Sequence, residues 1–144
     1  MADLIYNSFR SALAGDAAIS SSPIDFEGDT IKMALFTSTH TPDATDVYIS
    51  DLTNEVASGG GYTTGGATVT GITVTYSGTT ATITSSAVTW STSTITARYA
   101  VIYKDSGTPA TSPVIALYDF TTDKSSSSGD FTVTPNASGL LTVT

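Results

Sequence analysis

Hydroxyl side chains alternate with apolar ones through the middle of this chain. Between Thr68 and Thr96 almost every second residue is Thr or Ser, and Val, Ile, Tyr and Trp stand among them. Side chains of a β-strand alternate between its two faces, so this pattern predicts strands with one polar and one apolar face. Thr is also the polar residue that best fits a pleated backbone. The stretch therefore indicates a β-rich fold and leaves little of its length for reaction chemistry.

Short apolar segments bounded by turn residues continue on both sides of this stretch. They predict strands over residues 30–37, 67–76, 80–85, 87–90, 95–104, 113–120, 131–134 and 140–144. The strand over 30–37 is expected to be covered on both faces. Ser77-Gly78 predicts a hairpin turn, and the glycine-rich residues 58–66 predict a flexible loop. This spacing is typical of an antiparallel β-sandwich or barrel, and 144 residues fit one domain.

The N-terminal segment carries the single amphipathic helix that the sequence predicts. Asp3 is expected to cap its start and Gly15 its end. The helix packs either on the sheet or on a neighbouring subunit. Its apolar face is predicted from residues at helical spacing: Leu4, Ile5, Phe9, Ala12 and Leu13.

The charge of the chain excludes several classes of partner. Thirteen acidic residues stand against five basic ones, which gives a formal net charge of −8, and the basic residues are scattered. Binding to nucleic acid or to an anionic membrane needs clustered cations, so neither partner is expected. The chain has no cysteine, which excludes disulfides and thiol chemistry. Its N-terminus does not resemble a signal peptide, so we expect synthesis in a cytoplasm without a cleaved signal.

The sequence contains few candidates for catalytic or metal-binding residues. His40 is the single histidine, so no histidine triad, HExxH pair or multi-histidine metal site can form, and a solvated loop position is expected for it. Two acidic groups could in principle hold Ca²⁺, but neither has EF-hand spacing and solvated carboxylates are expected. These groups are Asp25, Glu27 and Asp29, and Asp43, Asp46 and Asp51. Ser-Lys or Asp-Asp chemistry stays open, but no spacing in the sequence indicates it, so a hydrolase has little support. The sequence therefore predicts no catalytic residue, no cofactor, no metal and no enzymatic activity.

Several blocks of the sequence resemble a family of small virion proteins of tailed phages. These blocks are ADLIYNSFRSAL, DTIKMALFTSTHTPD, SDLTNEV followed by GYTTGG, VTWSTSTITARYAVIYKDSGTPATSPVIALYDF and the ending DKSSSSGDFTVTPNASGLLTVT. The similarity covers nearly the whole chain and is weakest between Gly71 and Ala87. It brings no catalytic motif with it.

The resemblance implies a structural protein of the virion. The first expectation is a capsid decoration, or cement, protein on the outer capsid surface, which binds the major capsid protein and itself as a homotrimer. Such a protein stabilises the assembled shell because it binds only the assembled state. The alternatives are a tail, head–tail adaptor, baseplate or fibre-associated subunit, and a carbohydrate-binding module built on exposed aromatics. The last would use Tyr62, Tyr76, Trp90 and Tyr99. For the aromatic rows of the strands, which include Trp90 and Tyr99, burial is the expectation.

Terminal segments and loop tips are the parts of a compact β-domain that most readily reach a partner. On this reasoning the predicted contacts lie on the helix face, in the glycine-rich loop and on the C-terminal strand. The predicted interface residues are Leu4, Ile5, Phe9, Tyr62, Leu140, Leu141 and Val143.

Overall fold

A computed structural model describes residues 2–144 and shows a mainly β chain with antiparallel sheets and one short helix near the N-terminus. This confirms the predicted fold class. The strands are β1 Leu4–Ile5, β2 Ile31–Phe36, β3 Ala67–Thr68, β4 Thr73–Ser77, β5 Thr80–Thr84, β6 Val88–Ser93, β7 Thr96–Lys104, β8 Val114–Ser125, β9 Gly129–Val133 and β10 Leu141–Val143. The helix, α1, spans Asn7–Leu13, and single turns of 3-10 helix occur at Ile49–Asp51 and Pro109–Thr111.

The strands form three antiparallel sheets. One has five strands in the order β1-β8-β7-β2-β3, a second has the order β10-β5-β4, and β6 pairs with β9. The main core brings together residues of all three sheets and of α1, which gives a sandwich-like arrangement. Of the two architectures that the sequence left open, the barrel does not form, because the sheets made by residues 2–144 do not close.

The central sheet is covered on both faces. Alternate residues of β2 enter different cores: Ile31, Met33 and Leu35 face the main core, while Ala34 and Phe36 join a second, smaller core. All five are buried, as the sequence predicts for this strand. Two covered faces explain why β2 reads as a nearly continuous apolar run instead of a clean alternation.

The N-terminal helix begins later than the sequence predicts. Leu4 and Ile5 form a short strand opposite Leu117 and Ala116 of β8, and their side chains pack on different cores. The prediction that these two residues lie on the helix face is therefore wrong, because pairing with β8 overrides the helical spacing. Asp3 does not cap the helix; its carboxylate accepts a hydrogen bond from the backbone N–H of Asp119 at 2.7 Å.

Most predicted strands form, with changes at their ends. The predicted strand over 67–76 divides in two, because β3 pairs with β2 while β4 pairs with β5 in another sheet. The predicted hairpin is confirmed: Ser77 lies opposite Thr80, and Gly78 occupies the turn with a φ of +59° that favours glycine. Gly15 follows the last turn of α1, as predicted.

Candidate interaction surface

The N-terminal segment and the C-terminal strand border one groove. Its volume is about 420 Å³. The lining combines apolar side chains with one cation and the polar end of the chain: Ile5, Phe9, Arg10, Leu13, Thr142, Val143 and Thr144. Leu13 and Val143 are half-buried and Arg10 is exposed, so the groove is open to solvent along one side. We call it the terminal groove.

An apolar row runs from the terminal groove across the three-stranded sheet. The strand registers place Val143 opposite Ala81 and Ala81 opposite Tyr76. Residues directly opposite each other in an antiparallel pair point to the same face, so these three side chains form one row. Ala81 and Val143 are half-buried, whereas Tyr76 is 85% exposed. The row therefore becomes more exposed as it approaches β4.

β4 is an open edge of the three-stranded sheet. All five of its residues, Thr73–Ser77, are exposed, and Val74 exposes 41% of its surface. The carboxylate of Glu27 accepts a hydrogen bond from the backbone N–H of Val74 at 3.0 Å. This contact shows that the N–H of Val74 points away from β5. Outward-pointing groups alternate along an antiparallel strand, so the N–H and carbonyl of Tyr76 point to the same open side.

The hairpin lies in an uncharged part of the chain. No Asp, Glu, Lys or Arg occurs between Glu55 and Arg98, although the whole chain has a net charge of −8. The polar face of the hairpin consists of hydroxyl groups, and Thr73 and Thr84 bond to each other across the pair at 2.7 Å. The surface around β4 is thus apolar on one face, hydroxyl-bearing on the other, and free of charged residues of its own.

The predicted interface residues divide into two groups. Ile5, Phe9 and Val143 line the terminal groove together, so the structure brings both predicted terminal segments to one place. Their interface role stays a prediction. The exposure on which it was based is wrong for Phe9, which is buried and packs edge-on against Phe26. Leu4 is half-buried against the second core.

The exposure predicted for Leu140 and Leu141 is also wrong. Both are buried in the main core, because β10 pairs with β5 and Leu141 lies opposite Ile83. Within the C-terminal strand, only the outer residues Thr142, Val143 and Thr144 remain accessible.

Tyr62 is an internal anchor of the glycine-rich loop and not an exposed contact. Its hydroxyl accepts the backbone N–H of Leu35 at 2.9 Å and donates to the carboxylate of Glu55 at 2.6 Å. Glu55 also accepts the N–H of Gly65, which holds the end of the loop. Burial raises the pKa of Tyr62, and the carboxylate of Glu55 raises it further, so the hydroxyl keeps its proton. The predicted flexible loop is therefore fastened to the main core.

His40 is buried, which contradicts its predicted solvated position. Its Nδ1 lies 2.9 Å from the carbonyl oxygen of Thr53, and its ring packs against Phe36 and Tyr99. Burial lowers the pKa of His40, so the ring is neutral near pH 7. A histidine packed in this way is a core side chain, and the described residues place no nucleophile within hydrogen-bonding reach of it.

Carboxylates of the two acidic groups accept hydrogen bonds from nearby backbone N–H groups and do not form a metal-binding cluster. Asp25 Oδ1 accepts the N–H groups of Glu27 and Gly28, and Asp29 pairs with the buried Lys104 at 3.0 Å. These contacts make a tight turn in place of the extended segment that would align the carboxylates. Asp51 likewise accepts two backbone N–H groups. Within residues 2–144, no three Asp, Glu or His side chains form a metal-binding group.

A second groove, of about 360 Å³, lies beside Tyr103. Its charged side chains are each engaged internally: Lys32 pairs with Asp105 at 3.0 Å, and Glu55 accepts the bonds from Tyr62 and Gly65. The charged groups of this lining are therefore already bonded to other residues of the chain and do not form a cluster directed at a ligand.

No protein-family model matches the sequence, and neither a characterised protein nor a solved structure shows detectable similarity to it. None of the helices formed by residues 2–144 is both long enough and apolar enough to span a membrane.

Sequence reasoning missed much of this surface. It considers Tyr76 only as one of four possible sugar-binding aromatics, assigns no role to Val74 or Arg10, and places Leu13 only on the apolar face of the helix. The uncharged interval between Glu55 and Arg98 is the signal that could have drawn attention to the hairpin. The hydrogen bond that Glu27 accepts from β4 joins residues far apart in sequence, so no local sequence pattern predicts it.

Proposed function

We propose that this chain is a structural protein of a tailed-phage virion, and that it acts as a capsid decoration protein on the outer surface of the assembled head. Its partners are the major capsid protein and further copies of itself, which form a homotrimer when they are bound to the shell, with no nucleic acid and no membrane involved. It is made in the host cytoplasm and carries out no catalytic step. The sequence resemblance suggests this role, and the surface described above supports it.

One observation supports the proposal most directly: the exposed, uncharged β4 edge with its apolar row leads into the terminal groove. Val74 and Tyr76 are exposed on a strand edge that has no second strand beside it, and such an edge can pair with another chain. A surface of this kind suits association between proteins, because it combines backbone groups at a sheet edge with side chains that lose little on desolvation. Residues 2–144 form no metal-binding group, and the ring of His40 bonds to a backbone carbonyl and to no nucleophile, so a hydrolase gains no support from them.

The mechanism of a decoration protein is mass action. A protein that binds the assembled shell and not the free subunits shifts the equilibrium towards the shell, and the stabilisation grows with the ratio of its concentration to Kd. Binding through many equivalent sites on one particle adds these contributions. No group of the chain has to react, so stable packing and a complementary surface are sufficient.

The proposal is tested on particles of the phage that encodes the chain. Quantitative mass spectrometry of purified particles should find it in copy numbers comparable to those of the major capsid protein. Particles that lack it should open more readily on osmotic shock and heating, and adding the purified chain should restore their resistance. A Leu13→Lys variant, which puts a cation into the terminal groove, should restore less than Thr122→Lys, an exposed change on β8.

Other outcomes separate the alternatives. A few copies per particle would favour a tail, adaptor, baseplate or fibre-associated subunit, and particles that are equally resistant without the chain would refute the decoration role. The carbohydrate-binding alternative has less support, because Tyr62 and Trp90 are buried and Tyr99 is half-buried. Tyr76 alone among the four predicted aromatics is strongly exposed, and one ring does not make a sugar platform.

A further inference from the structure

The open edge of β4 presents backbone N–H and carbonyl groups that another extended strand could pair with. Exposed edge strands are normally protected by charges, by proline or by a covering segment, because they can pair with other chains. β4 reads Thr-Val-Thr-Tyr-Ser and contains neither a charge nor a proline. Among residues 2–144, the contact that protects it is the carboxylate of Glu27, which accepts the N–H of Val74. The groups that remain open at Tyr76 fit the backbone of another extended strand.

We propose that β4 pairs antiparallel with β4 of a second copy of this chain, about a twofold axis at Thr75, and that Glu27 competes with this pairing. In that register Val74 of each copy lies opposite Tyr76 of the other. The outward N–H and carbonyl groups of both residues then exchange four backbone hydrogen bonds across the twofold axis. No other register places all of these outward groups opposite one another.

The side chains are complementary in the same register. Val74 and Tyr76 lie on the apolar face, so the strongly exposed ring of each copy covers the Val74 side chain of the other. Such aromatic–β-branched neighbours stabilise strand pairs. On the opposite face Thr75 meets its own symmetry mate, hydroxyl beside hydroxyl. The pairing therefore buries Val74 and Tyr76, which are the exposed large apolar residues among residues 2–144.

The side chains of β4 carry no charge, so charge opposes a second copy less at this edge than at the acidic loops, although Glu27 of one of those loops lies at the edge. Two copies that each have a net charge of −8 repel each other, but no charged residue lies between Glu55 and Arg98. Pairing through β4 brings together the two β4–β5 hairpins, which contain no charged residue. The nearest carboxylate on the strand edge is that of Glu27, which is exposed and can turn into solvent when a carbonyl of the second copy replaces it.

Two short strands make a small contact, so the free protein should associate weakly, with Kd of about 0.1 to 1 mM. Glu27→Ala frees the N–H of Val74 and should tighten the association about tenfold. Sedimentation velocity over a concentration series measures both values. In NMR spectra, the amides of Val74 and Tyr76 should shift with concentration more than those of Thr73 and Thr75, which face β5.

Charge pairing at the proposed axis gives the sharpest test. Thr75→Lys and Thr75→Asp should each abolish self-association, because two like charges would lie directly opposite each other. An equal mixture of the two variants should associate at least as tightly as the wild type. Thr122→Lys is the control for Thr75→Lys, because it adds the same positive charge on an exposed part of β8. It should leave the association unchanged.

Three results would overturn the proposal. The first is a wild type and a Glu27→Ala variant that both stay monomeric across the concentration series. The second is association that persists in Thr75→Lys alone, which would assign it to another surface such as the terminal groove. The third is a mixture of Thr75→Lys and Thr75→Asp that associates no more than either variant does by itself. The proposal does not depend on the virion role, since it concerns the purified chain.

Discussion

The buried hydroxyl of Tyr62 should contribute substantially to stability, and Tyr62→Phe removes it with almost no change in shape. At Leu35 the strand β2 extends beyond β3, which pairs only with Lys32 and Met33, and the tyrosine oxygen takes the place of a strand carbonyl. Leu35 is fully buried. The substitution leaves its N–H without an acceptor and removes a donor from Glu55, so we expect a loss of about 2 kcal/mol in the free energy of unfolding.

Tyr118→Phe is the matched control. The hydroxyl of Tyr118 is equally buried but has no hydrogen-bond partner among the described residues. Removing a buried hydroxyl that is unpaired should be neutral or stabilising. Urea unfolding measures both free energies, and Tyr62→Phe should also lower Tm by about 4–8 °C. Equal losses in the two variants would refute the reasoning, because the bonds to Leu35 and Glu55 would then have no measurable net value.

Two further predictions follow from the backbone and from burial. A Cβ at Gly66 would overlap the carbonyl of Met33, and the φ of Gly66 is +76°. Gly66→Ala should therefore lower the free energy of unfolding in urea by about 3 kcal/mol or more. A Cβ at Gly78 would have no atom within contact distance, so Gly78→Ala should lower it by only about 1 kcal/mol. Burial lowers the pKa of His40 below its usual 6.5, so the unfolded chain binds the proton more readily and stability should fall as the pH drops below about 6.5. His40→Gln should flatten this dependence, and an unchanged slope would assign it to other groups.

The alternation of apolar and hydroxyl residues predicts the strands well because period two is a local property of a pleated chain. It does not predict where strands end, since ends depend on partners. Leu4 and Ile5 have helical spacing with Phe9, yet they pair with β8, because hydrogen bonding to a long central strand outweighs the start of a seven-residue helix. The division of β3 from β4 likewise follows from pairing with different sheets.

The interaction surface could not be predicted from local pattern, because exposure is a property of topology. Val74 and Ile83 are directly opposite each other in β4 and β5 and stand in similar Thr-rich sequences. Ile83 is 2% exposed and Val74 is 41% exposed, since β5 is central in its sheet and β4 is at the edge. Tyr62 shows the opposite error: a residue in a glycine-rich loop is buried because its hydroxyl completes the edge of β2.

The distribution of charge makes an open edge compatible with solubility. A net charge of −8 keeps copies of the chain apart at long range, and this repulsion weakens association through every acidic face. The β4–β5 hairpin contains no charged residue, so close approach through it costs less electrostatically than through an acidic loop. Glu27 places a single carboxylate at that side, on the very N–H that a second strand would need. Association through β4 should therefore be weak in dilute solution and should strengthen where copies are held side by side, because a high local concentration replaces affinity. Repeated binding sites on a virion surface would provide that condition.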